Sequence, residues 1–159
     1  MVEKELRVRK IKQGTVIDHI SPGTALRVLS ILGMKGKEGH ILSIAMNVPT
    51  GKNQSKRKDI VKIENKELDL ADINKIALIS PHASINIIRN YKVVNKEKVK
   101  LPEELKDIVK CMNPNCITNS REPIQSHFTV ENKEPILLRC FYCNIIMDLK
   151  DILKNIIFK

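Results

Sequence analysis

The sequence is poor in aromatic residues and lacks tryptophan. Its 159 residues include two tyrosines and three phenylalanines. No apolar run approaches the ~18 residues that a membrane-spanning helix needs. The first ten residues, MVEKELRVRK, contain no apolar segment of the kind found in secretory signals. We therefore expect a cytoplasmic protein with no membrane partner, and the 42% of apolar residues are enough for a packed core.

The common nucleotide-binding loops are absent as well. The sequence contains neither a G-x-x-x-x-G-K-[ST] nor a G-x-G-x-x-G motif, so any nucleotide site must be of another kind. No Ser/His/Asp arrangement and no carboxylate pair stands out. We therefore predict no catalytic residue and expect that the protein is not an enzyme.

Charge is distributed unevenly along the chain. The 28 Lys and Arg exceed the 18 Asp and Glu, but residues 1–100 carry 20 basic and 10 acidic residues, whereas residues 101–159 carry eight of each. A basic unit favours an anionic partner such as nucleic acid, nucleotide or phosphate, although a solvated lysine-rich surface would give the same composition. Together with the charged stretch around Pro102, this asymmetry predicts two domains, 1–99 and 100–159.

Strand and helix patterns alternate in the first domain. The β-branched run Thr15–His19 predicts a strand, and Ser21 or Thr24 is a candidate cap for the helix that follows. The order β-α-β-β-α-β is that of the ferredoxin-like fold, with an antiparallel sheet and two helices on one face. The remaining predictions are a strand over His40–Val48, a polar basic loop over Thr50–Arg57, a strand over Lys58–Ile63, a helix over Leu70–Ile79 capped by Asp69, and a strand over Ser84–Tyr91, which Lys92–Val94 could extend.

The second domain has only short strand patterns, and a short helical pattern follows Pro102. The strand patterns lie at Phe128–Val130, Ile136–Arg139 and Ile145–Leu149. We therefore expect an α+β protein whose C-terminal part is a small antiparallel β domain.

The four cysteines all lie in this second domain. They form two pairs, Cys111-x4-Cys116 and Cys140-x2-Cys143, with 23 residues between the pairs. Two closely spaced pairs suit the tetrahedral preference of zinc, and four thiolates leave no open position, so we predict one structural Zn²⁺ per chain. Disulfides and a redox dithiol are the alternatives. The absence of an export signal disfavours the first, and the matched distant pair disfavours the second.

Polar residues cluster near the strand ends of the first domain. Asp18 and His19 end the first strand just before a helix start, a frequent position for anion binding, although a local turn role would also explain them. Lys58 and Lys62 share one face of their strand by the period of two. These lysines could bind phosphate groups, or they could simply form a solvated face.

Taken in order, these segments resemble the regulatory chain of aspartate carbamoyltransferase. The resemblance rests on GTVIDHI near the start, RKDIVKIEN at 57–65, an Asn-containing strand ending in NYKVV, and the two cysteine pairs. It implies a non-catalytic allosteric subunit of pyrimidine biosynthesis. The N-terminal domain would bind ATP as activator and CTP or UTP as inhibitor, and the C-terminal zinc domain would bind the catalytic chain. Regulatory-chain homodimers would tie catalytic trimers together.

The resemblance also assigns residues to the nucleotide and to the catalytic chain. Lys62 would reach the ribose, and Lys58, His19 and Lys96 would face the phosphates. The backbone around 8–11 and 88–93 would read the base. The full set of nucleotide-binding positions is Val8, Arg9, Ile11, Asp18, His19, Lys58, Lys62, Asn86, Ile88, Tyr91, Val93 and Lys96, and Asn113 and Asn115 would help dock the catalytic chain.

The main rival is a nucleic-acid-binding zinc ribbon, which the net charge of +10 would suit. Such modules usually stack bases on aromatic side chains. Tyr91 is the one aromatic residue within 1–100. We therefore expect a nucleoside triphosphate, and no nucleic acid, as the anionic partner.

Overall fold

The computed structural model describes residues 10–50, 53–122 and 124–158. The chain divides after Val99 into two compact units, 1–99 and 100–159, and each is described by itself. No helix in these described ranges is long and apolar enough to cross a membrane.

The first unit is a five-stranded antiparallel sheet with two helices. Its strand order is β2-β3-β1-β4-β5. The first four strands and both helices have the ferredoxin-like order, which confirms the predicted fold class, and β5 extends the sheet at one edge. The elements are β1 (Gly14–Ile20), α1 (Ala25–Ile31), β2 (Leu42–Thr50), β3 (Asn53–Glu64), α2 (Leu70–Ile79), β4 (Ser84–Arg89) and β5 (Lys92–Lys98).

Alternate residues of the central strands form the core. Ile17, Val61, Ile63 and Ile85 are each at most 3% exposed. Helices α1 and α2 pack on each other, and α1 packs on β3, so the helices cover this apolar face. Because successive side chains point to opposite faces, Val16, Asp18, Lys62 and Asn86 lie on the other face, which we call the polar face.

Local sequence signals place α2 and the start of α1 correctly, but the cap of α1 does not work as expected. The α2 helix spans Leu70–Ile79 as predicted, and Asp69 caps it in a reciprocal pair with Asp72. Thr24 precedes α1, but its side chain makes no cap hydrogen bond to the helix. The hydroxyl of Thr24 instead donates to the carbonyl of Ser21.

The predicted loop over residues 50–57 is largely wrong because strand pairing continues beyond the apolar pattern. Strand β2 runs through Pro49, which pairs with Arg57, and β3 begins at Asn53, so most of the predicted 50–57 loop is sheet. Residues 51 and 52 lie outside the described residues. Pro49 is tolerated because β2 is an edge strand.

The predicted extension of β4 is in fact a separate strand. Asn90 and Tyr91 have φ of 51° and 64°, which turns the chain tightly back on itself. Lys92–Lys98 then forms β5, antiparallel to β4.

The second unit is a four-stranded antiparallel sheet in the order β6-β7-β8-β9. Its core contains Leu105, Phe128, Leu138, Met147 and Ile152, each at most 1% exposed. The helical pattern after Pro102 is wrong, since 104–106 form a strand. The elements are β6 (Glu104–Lys106), a 3-10 turn (Ile117–Asn119), β7 (His127–Lys133), β8 (Ile136–Cys140), β9 (Ile146–Asp148) and α3 (Leu149–Lys154).

Candidate metal centre and polar sheet face

The two cysteine pairs of the second unit meet at one point. All four Sγ atoms lie within 4.8 Å of one another. Cys111 and Cys143 are separated by 3.6 Å, and Cys116 and Cys140 by 3.7 Å, measured between sulfurs. A tetrahedron with metal–sulfur bonds of about 2.3 Å has edges of about 3.8 Å, so the spacing fits a Zn²⁺-sized ion. The separations are far too long for disulfide bonds of about 2.05 Å.

Each pair is held by a turn, which we call the first knuckle (111–116) and the second knuckle (140–143). In the first, the N–H of Cys116 donates to the carbonyl of Asn113 at 3.0 Å. In the second, the N–H of Asn144 donates to the carbonyl of Cys140 at 2.9 Å. Asn144 has φ of 63°, a left-handed conformation that asparagine tolerates well. The second knuckle is also anchored to the sheet, because Cys140 ends β8 and the N–H of Phe141 donates to the carbonyl of His127 in β7 at 2.8 Å.

Two side chains outside the cysteines support the first knuckle. The hydroxyl of Thr118 donates to Cys116 Sγ at 3.2 Å. Asn119 Nδ2 donates to the carbonyls of Cys111 and Asn113 at 2.8 and 2.7 Å. Such outer partners orient metal ligands and stabilise thiolate charge.

The surroundings of the sulfur atoms shift the pKa values of three of the four thiols in different directions. Burial raises the pKa of Cys111 and of Cys140. Burial also opposes ionisation of Cys143, but hydrogen bonds from the Ile145 N–H and the Asn113 side chain lower its pKa to about 7. Cys143 therefore ionises more readily than Cys111 or Cys140, and those two buried thiols would lose their protons when a metal binds.

The two knuckle asparagines differ in exposure. The N–H of Asn115 donates to Asn113 Oδ1 at 3.0 Å. Asn113 is half-buried and serves the knuckle, whereas Asn115 is exposed. Their predicted contact with a catalytic chain stays a prediction.

Three predicted nucleotide residues align across the polar face of the first unit. Val16 of β1 lies opposite Lys62 of β3 and opposite Asn86 of β4. Asn86 in turn lies opposite Lys96 of β5. Directly opposed residues share a face, so the register places Lys62, Asn86 and Lys96 in one row. Asn86 is only 9% exposed.

Asp18 lies on the same face as this row and contacts two other predicted residues, Lys58 and His19. Its carboxylate lies 3.0 Å from Lys58 Nζ and accepts the His19 N–H at 2.7 Å. His19 has φ of 56°, in a bulge where β1 leaves its register with β3. Burial lowers the pKa of Lys62; Asp18 opposes this shift, and Lys10 adds to it.

The remaining predicted positions lie around the β4–β5 turn. The N–H of Tyr91 donates to the carbonyl of Lys12 at 3.0 Å, which brings the segment after Ile11 beside this turn. Ile88 lies opposite Val93 in the hairpin. Ile11 and Ile88 are buried, whereas Tyr91 and Val93 are exposed. Val8 and Arg9 lie outside the described residues.

Sequence reasoning missed Asp59, the buried acidic residue next to Lys58. Asp59 is 0% exposed and shares the period of Val61 and Ile63, which face the core. A carboxylate at an inward position of an apolar strand is unusual because burying a charge is costly. That mismatch in the RKDIVKI segment is the signal that could have identified it.

Comparison with known proteins gives the same division into two parts. Residues 6–100 match the family model described as aspartate carbamoyltransferase regulatory chain, allosteric domain, and residues 103–153 match the one described as the metal binding domain of that chain. The chain is 52% identical over 147 residues to a protein of Methanocella arvoryzae, covering 92% of this chain and 93% of the relative. It is 53% identical over 144 residues to one of Methanothrix thermoacetophila, covering 91% and 92%. A Thermoplasma volcanium protein is 48% identical over 152 residues, covering 96% and 99%. All three bear the name aspartate carbamoyltransferase regulatory chain. With both domains matched in order, the chain belongs to the family of aspartate carbamoyltransferase regulatory chains and is a regulatory rather than a catalytic polypeptide.

Proposed function

We propose that the polar face of the first unit binds nucleoside triphosphates, with ATP as activator and CTP and UTP as inhibitors of a catalytic chain. The observation that carries this proposal is the row Lys62–Asn86–Lys96, next to the Asp18–Lys58 pair. Three ammonium groups against one carboxylate leave an excess of positive charge. Ammonium groups suit phosphate oxygens as mobile point charges.

The base would be read by backbone groups near the β4–β5 turn. Exposed Tyr91 and Val93 flank that turn, and the segment after Ile11 lies beside it. Backbone N–H and C=O groups can distinguish the exocyclic groups of cytosine from those of adenine. Lys62 would then contact the ribose, between base and phosphates.

The second unit would hold one Zn²⁺ and dock on the catalytic chain. Large apolar side chains are exposed near the ligands in sequence, and Phe141 stacks on His127 with ring centroids 4.5 Å apart. Phe141 also packs edge to face on Tyr142, and exposed apolar side chains that pack together in this way are typical of protein interfaces. The exposed large apolar residues within three positions of a cysteine are Met112, Ile117, Phe141, Tyr142 and Ile146.

A regulatory homodimer would form through the free edge of β2. Within the described part of the chain, both β2 and β5 are edge strands. Strand β5 carries Lys96, Glu97 and Lys98, and charged side chains on an edge strand disfavour pairing with a strand of another molecule. Strand β2 has no charged residue and exposes Ile44 and Met46. In sedimentation experiments, Ile44→Lys should yield monomers, whereas Val94→Lys on the other edge should not.

Calorimetric titration of the full chain with CTP and ATP tests the nucleotide proposal. Lys62→Ala and Lys96→Ala should each weaken binding about tenfold, the value of one charge-assisted contact. The control is Lys37→Ala, which removes an equal charge from the exposed loop between α1 and β2. Unaltered affinities in both row variants would reject the site. Tight, salt-dependent binding of an oligonucleotide would favour the nucleic-acid alternative.

Co-purification with a catalytic chain tests the docking proposal. The complex should survive in buffer and dissociate after chelation of the metal. A complex that persists after verified metal loss would show that the metal unit does not mediate docking.

A further inference from the structure

Asp59 is a fully buried carboxylate at a junction of four elements of the first unit. It belongs to β3, pairs with Ile20 at the end of β1, and accepts hydrogen bonds from α1 and β2. Its Oδ2 accepts the Ala25 N–H at 3.0 Å, and its Oδ1 accepts the Asn47 N–H at 2.7 Å. Residues 58 and 60 are half-buried, so this side chain stands out as the buried ionisable group of the segment.

The two N–H groups that Asp59 accepts have no partner from regular secondary structure. Ala25 is the first residue of α1, and the N–H groups of a first helical turn lack intrahelical acceptors. Asn47 has φ of 57° and lies where β2 changes its register with β3. The carboxylate of Asp59 therefore acts as the cap of α1, and it also accepts the backbone hydrogen bond that the β2 bulge would otherwise leave unmade.

Bulges flank Asp59 on both sides. In β1 the register shifts between Ile17 and Ile20, with His19 at φ of 56°. In β2 it shifts between Ala45 and Val48. The bulge in β1 contains His19. Lys58, the residue directly before Asp59, points to the polar face and contacts Asp18 there. Bulges next to functional sites commonly re-aim side chains.

We propose that Asp59 is a positioning residue of the nucleotide site. By fixing β3 to α1 and to the Asn47 bulge, it sets where Lys58 and His19 stand for the phosphates. The proposal rests on the function proposed above for the polar face. Asp59 itself faces the helices and would not touch the nucleotide.

The test compares binding of CTP with binding of CMP in full-length variants. Asp59→Asn keeps the shape but offers one acceptor oxygen and places an NH₂ group against an N–H donor. We expect it to lose about tenfold in CTP affinity, the cost of misplacing one charge-assisted contact, and less than about twofold in CMP affinity. Selective loss for the triphosphate is the signature of misplaced Lys58 and His19.

The control is Asp69→Asn, which removes a helix-capping carboxylate from α2. Strand register places that cap at the Glu64 end of the sheet, away from Asp18. Both variants should lower the melting temperature, but only Asp59→Asn should change the CTP-to-CMP affinity ratio. An unchanged ratio in Asp59→Asn, in a protein that binds CTP normally before mutation, would overturn the positioning role. No CTP binding by the unmutated protein would instead overturn the proposed function.

A second pair of variants approaches the same contact from β2, should Asp59→Asn fail to fold. Asn47→Val places a β-branched side chain at a positive φ and strains the bulge, whereas Asn47→Gly relieves the strain. Asn47→Val should reproduce the triphosphate-selective loss and Asn47→Gly should not. Equal behaviour of the two would refute the coupling between the bulge and the site.

Discussion

Removal of the metal should unfold the second unit and leave the first unit folded. The second unit spans 60 residues, from 100 to 159. A core of that size rarely supplies more than about 3–5 kcal/mol of stability. Structural Zn²⁺ sites supply about 10–16 kcal/mol of apparent binding free energy at neutral pH. The metal would therefore supply most of the folding free energy of a unit whose core alone is marginal, and we expect the metal-free unit to be unfolded rather than merely loosened.

The structure indicates why the core cannot compensate. The knuckles join the segment after β6 to the end of β8, and the four sulfurs are their meeting point. Without the metal, Cys111 and Cys140 remain as buried thiols with raised pKa, and the turn at Cys143 carries partial negative charge. Without the ion, the described contacts between the first knuckle and the second are the hydrogen bond from the Asn113 side chain to Cys143 and two weak sulfur contacts.

Hydrogen exchange measured by mass spectrometry on the full chain is the assay. After chelation and confirmed metal loss, peptides from β7 and β8 should lose protection, whereas peptides from β1 and β3 should keep it. Cys116→Ser should have the same effect. The matched control is Thr118→Val, which removes only the hydroxyl that donates to Cys116 and should weaken metal affinity by about 10–100-fold without unfolding. Full protection of β7 and β8 in metal-free protein would refute the reasoning.

Two further predictions concern the first unit. Lys62→Met should raise the melting temperature of the nucleotide-free protein by about 2 °C at pH 7, since burial lowers the pKa of Lys62 in the folded state and its charge opposes folding. That gain should be full below the folded pKa and vanish as pH rises to the unfolded value of 10.5; a lower melting temperature at pH 7 would contradict it. Gly14→Ala should destabilise the unit by about 3 kcal/mol or more in urea unfolding, because Gly14 has φ of 141° and a Cβ there would collide with the Ile63 carbonyl. Exposed Gly36, with open space around its Cβ position, is the control and should lose less.

The sequence was sufficient wherever the determining interactions are local. Asp69 and Pro81 bracket α2, and the structure places that helix at the predicted residues. The metal site was equally predictable, because each pair of cysteines forms its own turn and only the meeting of two turns is non-local. Metal chemistry supplies that last constraint, since four thiolates with this spacing have few other uses.

Prediction failed where a partner far along the chain decides the structure. The N–H of Ala25, the first residue of α1, donates to the carboxylate of Asp59, which lies 34 residues away, and not to the side chain of Ser21 or Thr24. The β2–β3 hairpin continues into a segment without apolar alternation because each strand supplies the hydrogen bonds of the other. Sequence periodicity shows which face a residue takes, but not which residues stand opposite it.

The register across the sheet is the information that brings the scattered lysines together on one face. Lys62 and Lys96 are 34 positions apart and share no local motif, yet Asn86 and Val16 place them in one row. A ligand bound along that row would contact β5, whose last residue is Lys98, and the second unit begins at residue 100. A nucleotide changes the activity of a partner only by binding two states of the assembly with different affinity. Because Lys96 belongs to the strand that continues covalently into the metal-binding unit, we expect β5 to be the element whose position differs between those states.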